Sequence, residues 1–138
     1  MIDLSDAEED FKSWLVAEPD LASLHGGRVY WRIPNQPSYP LVRLYRAGGG
    51  KQPGEANMRD IRFGVEVLGG AVDGPTWLAV RTLTTAIESV VDNLDNVAQG
   101  GTMFCNGIVT GVTDKPDPDT GRPGRVLDAL ITCRSLTS

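Results

Sequence analysis

The chain has 138 residues, of which 41% are hydrophobic and 22% charged, and its formal net charge is −5. This composition is ordinary for a soluble globular protein, and we expect one domain spanning residues 1–138. No apolar run approaches the ~18 residues of a membrane span. The N-terminus lacks the basic and apolar segments of a secretory signal. The sequence therefore predicts a protein that folds in the cytoplasm without contacting a membrane.

The negative charge is concentrated at the N-terminus. Asp3, Asp6, Glu8, Glu9 and Asp10 carry no base among them, and the rest of the chain holds 13 acids and 13 bases. A basic surface for nucleic acid is therefore not predicted. The simplest interpretation is that these acids stabilise the start of a helix through its dipole and keep the surface hydrated.

The first helix and strand are predicted from local signals. Residues 5–8 read Ser-Asp-Ala-Glu, a capping box, and apolar residues then recur at helical spacing until Glu18. Pro19 ends this helix, because the residue before proline avoids the α region. A short turn follows to Gly26, in which His25 is expected to cap the helix end or to be exposed. Residues 28–33 alternate as a strand does.

Further elements follow in order. Strands are predicted at about 41–46 and 59–68, flanking a soft loop at 47–57. Residues 73–76, Asp-Gly-Pro-Thr, open a second helix with an apolar stripe, and Gly100-Gly101 ends that region. Two last strands are predicted at about 103–113 and 124–135. We therefore expect an α+β fold, in which two helices pack on one face of a mostly antiparallel sheet of about five strands with long hairpin loops.

No motif predicts catalysis, a metal or a cofactor. Gly48–Lys51 resembles a phosphate-binding loop, but Tyr45 and Gln52 stand where that motif needs glycine and a hydroxyl residue. Three aspartates at 114, 117 and 119 lack the spacing and the glutamate of a calcium loop, and a solvated hairpin is the simpler interpretation. With a single histidine and no CxxC, we expect neither an enzyme nor a metal centre.

The surface offers candidates for protein contacts instead. A hairpin loop as long and polar as 47–57 suggests contact with a partner. The arginines of the first three strands predict an arginine-rich sheet face, either solvated or buried against carboxylates of a neighbouring subunit. The acidic helix start would complement it. The candidate contact residues are Asp6, Glu8, Glu9, Asp10, Arg28, Arg32, Arg43, Arg46, Gly49, Lys51, Glu55, Arg59 and Arg62.

The order of elements also resembles a known family. The first helix ends in "LVAEPDLASL" and is followed by "GGRVYWRIPNQPSYPLVRLYRAGG"; a glycine-rich loop, "RDIRFGVEVLGG", a helix with "LTTAIESV" and a closing hairpin come next. This arrangement is similar to the tail terminator, or tail-completion, proteins of long-tailed phages, the group of lambda gpU-like tail-to-head joining proteins. The resemblance covers nearly the whole chain and rests on element order and the helix–"GGRVY"–"PxxP" stretch.

The resemblance implies a structural role in a virion. Such proteins form a ring, commonly a hexamer, that caps the tail tube at its head-proximal end and docks the head, while DNA passes through the lumen without sequence-specific contacts. The implied partners are other copies of the chain, the tail-tube protein and the head–tail connector. A head-completion or neck protein remains the main alternative, and a small-molecule binding module is a third.

Overall fold

The computed structural model describes residues 4–51 and 58–136. Its three helices and six strands are α1 Leu4–Ala17, α2 Pro19–His25, β1 Val29–Tyr30, β2 Leu41–Lys51, β3 Met58–Leu68, α3 Gly74–Asp92, β4 Asp95–Gln99, β5 Thr102–Asp114 and β6 Gly124–Ser135. Within these ranges, no helix combines the length and apolar character that crossing a membrane requires.

The strands form one mixed sheet in the order β1-β2-β3-β6-β5-β4. Neighbours are antiparallel except β1 and β2, which run parallel. The α+β class is confirmed and the sheet is mostly antiparallel, but it has six strands rather than about five, three helices rather than two, and a first strand that runs parallel to its neighbour. The segment 31–40 leads back to the end of the sheet where β1 began, and a parallel pair needs such a return.

α1 ends at Ala17, before Pro19, as predicted. Pro19 then opens a second helix, because proline suits the first helical turn, so the expected turn to Gly26 is helical. His25 in that helix is buried; its Nε2 lies 2.9 Å from the Leu15 carbonyl oxygen, and its Nδ1 accepts a hydrogen bond from the Gly27 amide. It therefore caps the end of α1 and holds the turn after α2, and the alternative of an exposed histidine was wrong.

Two strands differ in length from the prediction. β1 covers only Val29–Tyr30 rather than 28–33, whereas β2 continues through the glycine run to Lys51. A register shift between Arg46 and Gly48 accommodates one extra residue of β2. Pairing with the start of β3 overrides the poor strand propensity of glycine. The remainder of the predicted loop, 52–57, lies outside the described residues.

The region after the long helix holds a strand that the sequence did not reveal. α3 starts as predicted, with the Asp73 Oδ1 accepting a hydrogen bond from the Thr76 amide at 2.7 Å; hydrogen bonding to Thr76 holds the pKa of Asp73 below its usual value. β4 then pairs with β5, and Gly100-Gly101 forms the turn between them. The two last strands match their predicted ranges to within one residue.

One core lies between the helices and a single face of the sheet. Phe11 of α1 stacks on Phe63 of β3 with ring centroids 4.1 Å apart, and Phe104 of β5 meets Phe11 edge-on. Cys133 is buried in this core, and burial raises the pKa of its thiol to about 12. Both Cys105 and Cys133 are free thiols.

Candidate assembly surfaces

The face of the sheet opposite the helices is here called the open face. Side chains alternate along each strand, so residues between the core positions project away from the helices. The side chains that define the open face are Arg43, Tyr45, Arg62, Glu66, Ile108, Val126 and Leu130. It carries charge, an aromatic ring and exposed apolar groups together, as a protein-binding surface does.

Glu66 is the charged centre of the open face. Its residue is 7% exposed, its Oε1 accepts from Arg43 Nη1 at 2.9 Å, and its Oε2 accepts from Lys115 Nζ at 3.1 Å. Both carboxylate oxygens are therefore engaged, and the charge of a buried carboxylate is balanced by two cations. The guanidinium carbon of Arg43 also lies 5.3 Å from the centre of the Tyr45 ring.

Tyr45 lies flat over a glycine. The cross-strand partner of Tyr45 is Gly64 of β3, and a Cβ atom at that glycine would overlap the tyrosine ring. A glycine inside an otherwise apolar strand marks such a close approach. The contact fixes the tyrosine on the open face next to Arg43.

The other half of the open face includes an exposed aliphatic side chain. Ile108 of β5 is 53% exposed and lies opposite Leu130 of β6. Leu130 in turn lies opposite Arg62 of β3, and this arginine is also exposed. Ile108 lies on the side of the sheet that no helix covers and next to Leu130, which makes it a candidate protein contact.

Two stretches of strand form free edges of the sheet. β1 pairs with β2 only at Val42 and Arg43, which leaves Leu44–Lys51, here called the β2 edge, without a strand beside it in the described chain. On the other side, β4 pairs with β5 only as far as Asn106, so Gly107–Asp114 forms the β5 edge. Free edges present unpaired backbone donors and acceptors to other chains.

One position of the β5 edge is occupied by a side chain. Asp92, the last residue of α3, accepts a hydrogen bond from the Val109 amide through Oδ1 at 2.8 Å. This carboxylate stands where the backbone of a neighbouring strand would lie. It was missed in the sequence because 17 residues separate donor and acceptor.

The four predicted acids of α1 have different surroundings. Asp6 and Glu9 are exposed. Glu8 lies 3.5 Å from the Arg46 Nε of its own chain, and the Asp10 Oδ2 accepts from the Thr102 hydroxyl at 2.6 Å. Glu8 and Asp10 therefore have partners within the subunit.

The predicted arginines do not share one face. Arg43 and Arg62 lie on the open face, whereas Arg46 points to the helix side, toward α1. Arg28 precedes β1 and donates from Nε to the Pro40 carbonyl at 2.7 Å, and Arg32 is exposed beyond β1. The sequence shows which residues are arginines, but the face of the sheet on which each arginine lies depends on where its strand begins and ends.

Three of the four remaining predicted contact residues lie near the end of β2 or the start of β3. Gly49 is an exposed residue of the β2 edge, and Lys51 is the last residue of β2. Arg59 is half-buried near the start of β3, in register with Lys51 and Cys133. Glu55 lies outside the described residues.

The aspartate-rich hairpin between β5 and β6 is a closed turn. The Oδ1 of Asp117 accepts from the amides of Asp119 and Thr120, and these bonds lower the pKa of Asp117. Its carboxylate is thus used within the turn. No group of three His, Cys, Asp or Glu side chains in residues 4–51 and 58–136 converges to hold a metal ion.

Surface clefts flank Tyr39 at the end of the sheet near α3. One, of about 370 Å³, is lined by residues that include Tyr39, Gly70 and Ala79. Another, of about 250 Å³, lies toward Lys115 and Arg122.

Comparison with known proteins shows the fold. A chain in the structure described as "Virion of native gene transfer agent (GTA) particle" is similar to this one, with a TM-score of 0.70 and 15% sequence identity. The likeness covers 93% of this chain and 92% of that chain. No model of a known protein family matches the sequence. No curated protein matches it either.

Proposed function

We propose that this chain is a structural protein of a phage-like virion, and specifically a tail terminator. The observation that carries the proposal is the fold likeness to a chain of a gene transfer agent virion, over nearly the full length of both chains. The element order that resembles tail terminators in the sequence supports the same assignment.

The proposed working parts are surfaces and not a reactive pocket. A ring requires two different, complementary patches on each subunit, since each copy contacts one neighbour on either side. The open face and the two free edges supply exposed surface of different chemistry. On this proposal the protein is not an enzyme and takes no cofactor.

The proposed partners are further copies of the chain, the tail-tube protein below the ring and the head–tail connector above it. The proposed ring, a hexamer, would lie at the head-proximal end of the tail and stop tube growth. DNA would pass through the lumen, and a net charge of −5 would favour its passage over its retention.

The alternative is a head-completion or neck protein, which a virion-type fold supports equally. Deleting the gene in a particle-producing host separates the two. If the chain is a terminator, electron microscopy will show tails that exceed the normal length, because nothing caps the tube.

If the chain is a neck protein, tails will have normal length and will lie free beside heads that have lost DNA. Supplying the gene in trans should restore joined particles of normal length in either case. Wild-type particles from the deletion strain would contradict both assignments.

A further inference from the structure

We propose that copies of this chain close their ring by pairing the β2 edge of one subunit with the β5 edge of the next, as antiparallel strands. The inference rests on the proposed function for the existence of a ring. It adds which surfaces meet and in what register.

The two edges are free at the same height in the sheet. Following the cross-strand partners, Leu44 of β2 lies level with Val112 of β5, and Gly49 lies level with Gly107. Residues 44–49 and 107–112 therefore both lack a neighbouring strand on their outer sides, at matching levels of the sheet. A neighbour placed beside the sheet without axial displacement would face six residues with six.

The strand directions also fit. β2 and β5 run in opposite directions within one sheet, because three antiparallel steps separate them. A second copy in the same orientation would therefore bring its β5 edge antiparallel to the β2 edge of the first. A heterologous contact of this kind repeats around a ring until it closes.

Charge and side-chain placement favour the same register. Arg46 of the β2 edge lies level with Val109, the residue whose amide Asp92 holds. Arg46 points to the helix side, where α3 ends at Asp92. Across the contact, the arginine of one copy would thus meet the aspartate of the next.

Arg46 and Asp92 can both exchange their partners within the subunit for partners in the neighbouring copy. The contact from Arg46 to Glu8 is 3.5 Å long and the arginine side chain is 43% exposed, the kind of ion pair that contributes little. Asp92 is exposed and accepts a hydrogen bond from the Val109 amide on the β5 edge. In the proposed contact, a backbone carbonyl of the neighbouring strand would accept that hydrogen bond instead. The released carboxylate would then be free to bind the incoming guanidinium.

Glycines make the β2 edge accessible to another backbone. Gly48 and Gly49 present no side chain beside the edge, and glycine in a strand permits close approach. A second copy of the chain is the proposed occupant. This occupant is favoured because the β2 edge and the β5 edge of the same chain match each other in level, strand direction and charge.

A cysteine pair across the proposed contact tests the register. Gly48 lies level with Ile108, and both positions belong to the open-face rows. The double variant Gly48→Cys/Ile108→Cys, in a Cys105→Ser background, places one thiol on each edge. Within one subunit the two are three strand spacings apart, about 14 Å. That distance is beyond the ~7 Å Cα separation that a disulfide allows, so only two copies can form the bond.

Under mild oxidation we expect a ladder of covalent multimers from the double variant. The matched control is Gly48→Cys/Arg122→Cys in the same background, since Arg122 is exposed in the loop after β5 and lies on neither edge. The single variants should stop at dimers. A ladder no stronger than in the Arg122 control would contradict the proposed register.

A proline tests edge pairing independently of register. The Val42 amide donates to Arg28 outside β2, so the amide of Arg46, four residues on and before the register shift, points to the same side. Arg46→Pro removes that donor, and Arg46→Ala removes only the side chain. We expect the proline to weaken association about fivefold to tenfold beyond the alanine, as for the loss of one backbone hydrogen bond.

The inference is overturned if the double variant gives no ladder above its control and the proline and alanine variants associate equally. In that event, overlong tails after gene deletion would still support a terminator whose ring closes elsewhere. A strong ladder together with tails of normal length would support edge pairing and reject the terminator assignment.

Discussion

Alternate residues of the same strands build two very different surfaces. On the helix-covered face, Phe63, Ile61 and Val65 are fully buried in the core beneath the helices. On the open face, the residues between them include a charged network at Glu66 and an isoleucine that is half exposed. Stability is thus concentrated on one side of the sheet, which leaves the other side and the edges available for contacts.

The largest expected effect is on the covered face. Phe63→Ala removes a ring stacked on Phe11 with centroids 4.1 Å apart and should lower the free energy of unfolding by about 3–5 kcal/mol. Chemical denaturation measures the change. Ile108→Ala on the open face is the control and should change stability by less than about 0.5 kcal/mol. Equal losses in the two variants would contradict the division between the faces.

A smaller effect is expected where the open face is itself closely packed. Gly64→Ala places a methyl group into the Tyr45 ring and should cost about 1–3 kcal/mol of unfolding free energy. Gly111→Ala is the matched control, because a Cβ there meets only the Asp128 carboxylate at 3.8 Å.

Removing the ring should rescue the variant. The double variant Gly64→Ala/Tyr45→Ser should be less destabilised than the sum of its single changes, as is usual for residues in contact. Additive losses would show that Tyr45 does not lie over Gly64 in solution.

The smallest expected effect is the dependence of stability on pH through Cys133. Burial raises the pKa of this thiol from 9.0 to about 12, so the unfolded chain loses the proton at lower pH than the folded chain does. The stabilisation is complete below pH 9 and declines as the pH rises toward 12. Relative to Cys133→Ala, the wild-type protein should lose about 1 kcal/mol between pH 8 and pH 10. Parallel pH profiles would show that the thiol is not buried.

Local patterns predicted the elements whose signals are short-range. The alternation of Ile61 to Val67 predicted β3, and Asp73 before Pro75 predicted the start of α3. Both signals act within a few residues, through side-chain alternation and helix capping, and so they can be read without a tertiary context. β4 was missed because its residues, Asp95–Gln99, include polar and mostly exposed positions that lack strand alternation.

The candidate surfaces were predictable only in part. The sequence identified the arginines and the glycine run, but it assigned Gly48–Lys51 to a loop, whereas these residues extend an edge strand. It also named the acids of α1 as candidate contacts with a neighbouring subunit, and in the structure Glu8 lies 3.5 Å from Arg46 of its own chain. The face on which Arg46 lies depends on strand register, because one added residue moves a side chain to the other side of the sheet.

The sequence by itself determined the α+β class, the cores of the long strands, the end of α1 and the start of α3, because hydrophobic periodicity and capping are local. Only the tertiary structure decided the parallel placement of β1, the presence of β4 and the meeting of Asp92 with Val109. All three depend on contacts between segments that are distant in the sequence. The backbone groups in these contacts are nearly the same in every residue, so no side-chain pattern encodes which segments meet.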